Sequence, residues 1–161
     1  MQVFLLEDGT YAIVDYESEY RRENIFKYLG YVVRASKRLY NTNGTIPRIR
    51  IIVIYTADVE RGSTSTSVDI ESLTFTLTEA FLSELDKDLV WKNVSYKTNS
   101  NIDISSEEMM QLIIYPLAFK SREDKRDAIR RVIELAKELR DERKKIFILK
   151  CLKVFSDKII R

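Results

Sequence analysis

The sequence contains no histidine. That removes imidazole general bases, Ser-His-Asp triads and histidine metal ligands in one step. The only cysteine, Cys151, excludes a disulfide framework and a thiolate zinc site. Its place in an apolar helical pattern reads as a buried structural thiol. With four glycines there is no glycine-rich phosphate loop, and no repeats or low-complexity tracts occur. No apolar run approaches membrane-spanning length and no charged-then-apolar leader opens the chain, so a cytoplasmic setting without membrane partners is expected. What is present is 161 residues, 45% hydrophobic and 32% charged, the balance of one ordinary domain with its own core.

The chain is organised around Val3 to Tyr20, VFLLEDGTYAIVDYESEY. Two apolar runs flank Glu7-Asp8-Gly9, and Asp-Gly between such runs signals a hairpin. The second strand carries Asp15 and Glu17, whose spacing places both side chains on one face. Two such acids repel and lose hydration unless something positive lies between them. A hard divalent cation is the expected occupant; the competing reading puts both acids on the wet face of a half-exposed hairpin.

Arg21 to Tyr40 then has the pattern of a long amphipathic helix with Ile25, Leu29, Val32, Val33, Ser36 and Tyr40 on its apolar face. Lys27, Arg34 and Arg38 form a basic stripe on the other side, either a solvated face or a set of phosphate contacts. Arg48 to Tyr55 is continuous enough in β-branched residues to be a central strand covered on both faces. Strand, helix and strand form a crossover that favours a parallel pair. Val68–Ile70 and Leu73–Leu77 read as short strands after a polar loop.

The remainder is expected to be helical. A short helix lies within Leu82 to Tyr96, with Trp91 as a packing anchor. Ser105 to Glu108 form a capping box opening Met109 to Phe119, in which Met109, Met110, Leu112, Ile113 and Leu117 are core and Pro116 kinks or ends the helix. Ser121 caps the next helix, with Ala128, Val132, Leu135, Ala136 and Leu139 buried. A last apolar helix runs through Ile160. Charge is uneven: Lys120 to Arg161 hold 15 Lys or Arg against 8 Asp or Glu, in a chain whose net charge is +2. That asymmetry is compatible with a polyanionic partner.

The ordered blocks LLEDGTYAIVDYESEY, RRENIFKYLGYVVR, RIRIIVIYTADVE, LTFTLTEAFLSELD and LIIYPLAFK resemble the recombination-promoting nuclease and transposase family of bacteria, part of the PD-(D/E)XK nuclease superfamily. The resemblance covers nearly the whole chain. It implies an α/β, restriction-endonuclease-like fold, a mixed β-sheet flanked by helices, in residues 1–100, with a C-terminal helical extension in 101–161. It also implies Mg²⁺- (or Mn²⁺-) dependent cleavage of DNA.

Carried over by residue, Asp15 matches the acidic position of the (D/E)XK half-motif, a catalytic metal ligand. Glu17 matches its last position, where the superfamily has lysine and this family often glutamine. A lysine there would stabilise charge on the attacked phosphate; glutamate could instead hold a second metal or act as a base. Asn24 and Tyr28 keep the spacing of a Gln-x-x-x-Tyr motif of related nucleases. The first motif Asp is expected near Met1, where Met1, Gln2 and Val3 cannot replace it. The chain is therefore expected to be a fragment of a longer protein or to have lost one main metal ligand, and its activity as written to be weak. The alternative is a non-catalytic DNA-binding or protein-interaction module on the same fold; DNA and a second copy of the chain, as a homodimer, are the partners considered.

Overall fold

The acid pair lies on a seven-residue strand whose neighbours are set by the turn before it. In the computed structural model, which describes residues 2–159, β1 (Gln2–Leu5) and β2 (Tyr11–Glu17) form an antiparallel hairpin. Gly9 takes φ +78°, a left-handed conformation that glycine adopts without steric cost. Asp8 Oδ1 accepts the Thr10 N–H at 2.9 Å and locks the turn. The expected first motif Asp falls at Met1, outside the described residues.

Helix α1 (Asn24–Asn43) crosses from β2 to β3 (Ile49–Tyr55), which pairs parallel with β2 as the crossover implied. The helix begins and ends three residues later than the periodicity suggested. It runs through Asn41–Asn43 until Gly44, at φ +72°, donates its N–H to the Tyr40 carbonyl. Its buried face is also rotated from the expected one. Ile25, Tyr28 and Ala35 are buried, whereas Val33 and Tyr40 are 58% and 51% exposed. The sequence offers two apolar stripes, and the one containing Tyr28 meets the sheet. Gly30, mid-helix, costs about 1 kcal/mol relative to alanine, yet an added Cβ would touch only Arg34 Nη1, at 3.6 Å.

The sheet order is β1-β2-β3-β6, with β6 (Thr78–Phe81) parallel to β3. Strand β6 was not evident in the sequence, because Thr78-Glu-Ala-Phe81 is short and its pattern merges into the following apolar residues. Between them β4 (Ser67–Asp69) and β5 (Thr74–Thr76) form a separate antiparallel ribbon. Ile13, Ile51, Val53 and Tyr55 pack under Tyr28 and Ala35 of α1, with Phe81 stacked on Tyr55 at 5.3 Å between ring centroids. β3 is an interior strand: its Ile51, Val53 and Tyr55 are buried, and Ile52 and Ile54 are half-buried.

The chain divides into two compact units, Met1–Tyr55 with Val59–Phe81, and Thr56–Asp58 with Leu82–Arg161. The division therefore falls at Phe81 rather than near residue 100. The reason is that α2 (Lys87–Asn99), through buried Val90 and Val94, belongs with the later helices and contacts α3 (Ser106–Ile114). Trp91 packs on Tyr115 at 5.2 Å and lies beneath the Arg131 guanidinium at 4.3 Å, the arrangement of a packing anchor.

Pro116 ends α3, and Tyr115–Ala118 continues as a buried 3₁₀ turn. Leu112, Ile113 and Leu117 are core as expected; Met110 is 42% exposed and Met109 half-buried, because the second turn of the helix points them away from the buried Leu112 face. Ser121 caps α4 (Arg122–Lys137), whose Ala128, Val132 and Ala136 are buried. Asp141 accepts the N–H groups of Arg143 and Lys144 and opens α5 (Glu142–Ile159). The expected terminus at Ile160 lies outside the described residues. Cys151 is half-buried, and burial pushes its thiol up.

Both halves of the capping box at α3 form. Ser105 Oγ accepts from Glu108 N–H, while Glu108 Oε2 accepts from Ser105 N–H and from Lys97 Nζ at 2.9 Å. The Lys97 ammonium, then the Ser105 N–H, hold the Glu108 carboxyl below its ordinary value of 4.5. A depressed carboxyl contributes stability that is complete above the unfolded value and lost as pH falls through the folded one. In urea titrations, Glu108→Gln is expected to be less stable than the parent at neutral pH and to lose less stability on acidification.

Candidate functional site

Alternation along β2 sends Ile13, Asp15 and Glu17 to the face covered by α1. Asp15 is 5% exposed, so a charge there needs compensation within the fold. Lys27, on the first turn of α1, supplies it. Its Nζ lies 3.0 Å from Asp15 Oδ2 and also forms a close ion pair and hydrogen bond with Glu17 Oε1. Asp15 Oδ1 meanwhile accepts the Tyr16 N–H at 3.1 Å. The positive group between the two acids, expected to be a divalent cation, is here the chain's own ammonium.

One residue further along α1, the Tyr28 hydroxyl donates to the same Glu17 oxygen at 3.1 Å. Four sequence-nominated residues thus meet in one cluster: Asp15, Glu17, Lys27 and Tyr28. Asn24 opens α1 one turn earlier and donates its backbone N–H to the Arg21 carbonyl. Arg34 and Arg38 lie two and three turns along the helix, both exposed, with Arg34 over the Tyr31 ring at 5.3 Å. The basic stripe is therefore divided, since Lys27 points to the acids and the two arginines stay at the surface.

Two residues of this face went unnoticed in the sequence. Tyr55, at the end of β3, is paired with Glu17 in register, and its hydroxyl senses the charge of Glu79 on β6. Glu79 Oε1 also accepts from Thr64 Oγ1 at 2.8 Å, while its buried Oε2 has no hydrogen-bond partner. Parallel pairing of β3 and β6 is what brings Glu79 to this face, and with β6 unrecognised no signal pointed to it. A small surface depression adjoins, with room of ≈ 10 Å³, lined by Tyr20, Arg21, Arg22, Tyr28, Tyr55 and Ser65. It lies at the carboxyl ends of the parallel strands, where open α/β sheets bind their ligands.

The electrostatics follow the contacts. Burial would pull the Lys27 ammonium down, but hydrogen bonds to Glu17 and Asp15, with their charges, hold it above its ordinary 10.5. Burial, then the charge and hydrogen bond of Glu17, push the Tyr28 hydroxyl far up. Burial and Glu79 do the same to Tyr55. Among the described residues no group of three or more Asp, Glu, His or Cys side chains is arranged to hold a metal ion. Asp15 and Glu17 are nevertheless hard oxygen donors converging on one cationic position, which fits an ion that takes only one or two protein carboxylates.

No family model matches the chain, and neither a curated protein nor a solved structure does. Among the described residues no helix is long and apolar enough to cross a membrane.

Because the folded state keeps protons on Lys27, Tyr28 and Tyr55 that the unfolded chain gives up near 10.5 and 10.0, their contribution is complete below those values and lost as pH rises beyond them. Stability is expected to fall steeply above about pH 10. Tyr28→Phe should make that fall shallower in urea titrations; an unchanged alkaline slope would mean that the tyrosine does not sense Glu17.

Proposed function

We propose that the α/β unit is a restriction-endonuclease-like domain acting on DNA by Mg²⁺- (or Mn²⁺-) dependent phosphodiester hydrolysis, of the kind used in recombination and transposition. The observation that carries this reading is the convergence of Asp15 and Glu17 on one cationic position at the carboxyl ends of parallel strands. The hairpin, crossover helix and parallel β3 also support it, as the frame such a nuclease core requires.

Asp15 Oδ2 and Glu17 Oε1 are the groups that would hold the ion, with Tyr28 fixing the Glu17 carboxylate. Such an ion, when bound, polarises the phosphate and lowers the pKa of a water. Lys27, which the ion would displace from those oxygens, then takes the part of the lysine that the motif lacks at position 17. Its ammonium stays charged beside the acids and offers a donor to the oxygen on which charge builds. Arg34 and Arg38 give sequence-independent contacts to the phosphate backbone.

A second reading rests on the same lysine. By neutralising both acids, Lys27 makes the fold self-sufficient without an ion, as a non-catalytic DNA-binding or interaction module would be.

Plasmid nicking separates the two. With Mg²⁺ or Mn²⁺ the chain is expected to nick slowly; Asp15→Ala should abolish the activity and Lys27→Ala reduce it at least about tenfold. DNA binding without cleavage, with a salt dependence that flattens when Arg34 and Arg38 are neutralised, would establish the second reading. Nicking by Asp15→Ala at the parental rate would overturn the site.

A further inference from the structure

Lys27 is held by two acids without being enclosed by them. Its side chain is 35% exposed, against 6% for Asp15 and 17% for Glu17. The acids are fixed from within the fold, Asp15 by the Tyr16 N–H and Glu17 by the Tyr28 hydroxyl. The ammonium instead ends a flexible four-carbon stem, so it is the member of the cluster that can turn to another partner.

With both acids ionised, Asp15, Glu17 and Lys27 sum to one negative charge, a sign that repels a phosphodiester. A divalent ion on the two carboxylates reverses that sign to one positive charge. The displaced ammonium is then a donor that has lost both its acceptors. A backbone phosphate answers both changes, because its charge neutralises the site and its oxygens accept from the ammonium.

We propose that Lys27 is a built-in counter-ion that couples metal binding to nucleic-acid binding. It holds Asp15 and Glu17 in the free protein and transfers to a backbone phosphate when a divalent ion takes their oxygens. The inference rests on the nuclease reading and adds a regulation to it: each ligand alone is bound weakly, and each strengthens the other. Linkage requires the two enhancements to be the same factor. Without Lys27 the ion still attracts the phosphate, but no ammonium is released, so the coupling shrinks.

The test is isothermal titration of Mn²⁺ with and without a short DNA duplex, and fluorescence anisotropy of the duplex with and without Mn²⁺. Ionic strength is held constant, and each reading is completed before slow nicking accumulates. In the parent, the duplex should raise Mn²⁺ affinity at least about tenfold, and Mn²⁺ should raise duplex affinity by the same factor. In Lys27→Met, Mn²⁺ should bind more tightly without DNA, and the enhancement should fall to about threefold or less. Lys27→Arg keeps an exchangeable cation and should keep the coupling. Lys27→Gln replaces Lys27→Met if circular dichroism shows the latter unfolded. Equal Mn²⁺ affinity of the parent with and without duplex overturns the proposal, and needs no variant. Equal coupling in the parent and in folded Lys27→Met overturns it too, while leaving the nuclease reading in place. Absence of Mn²⁺ binding from both proteins, duplex present, removes the nuclease reading and this inference with it.

Discussion

The ammonium of Lys27 between Asp15 and Glu17 is the contact on which the α/β unit depends. A buried strand carrying two acids on its inner face cannot be covered by an apolar helix unless the charges are answered from the helix itself. Lys27 answers both at once, 3.0 Å from Asp15 and closer to Glu17, and Tyr28 donates to the same Glu17 oxygen. That requirement fixes which side of α1 faces the sheet. It also explains why the stripe containing Tyr28 and Ala35 is buried and the equally apolar Val33 and Tyr40 are not.

Much of the frame was legible in the residues. Asp8-Gly9 marked the hairpin, the β-branched run after Pro47 marked the interior strand, and Ser105, Ser121 and Pro116 marked helix limits. These are local signals, in which a side chain bonds its own backbone or the chain cannot continue in the same geometry. The rotation of α1 was not legible, because hydrophobic periodicity weighs Val33 and Tyr28 alike and is blind to the acids waiting on β2. Strand β6 was hidden for a related reason: its four residues become a strand only through parallel pairing with β3.

The candidate site was half visible. Asp15 and Glu17 could be placed on one face from spacing alone, and Tyr28 was near them by resemblance to a nuclease motif. The basic stripe suggested phosphate contacts for Lys27, whereas three-dimensional proximity gives it a partner ten residues earlier in the chain. Glu79 and Tyr55 entered only with the sheet order. In the helical unit the same principle operates once more. Lys125, 4% exposed, is neutralised by Asp58 at 2.5 Å and donates to the Lys120 carbonyl at 2.7 Å. The two buried charges among the described residues, Asp15 and Lys125, are thus each paired with an opposite charge from elsewhere in the chain.

If Lys27 occupies the place of a cation held by Asp15 and Glu17, lysine and metal must compete for it. Isothermal titration of Mn²⁺ into the parent, Lys27→Met and Asp15→Ala tests this most directly. Removal of the ammonium should raise Mn²⁺ affinity at least about tenfold, since two carboxylates are then left without a counter-charge. Asp15→Ala should remove binding altogether. Equal Mn²⁺ affinity in all three proteins would contradict the account.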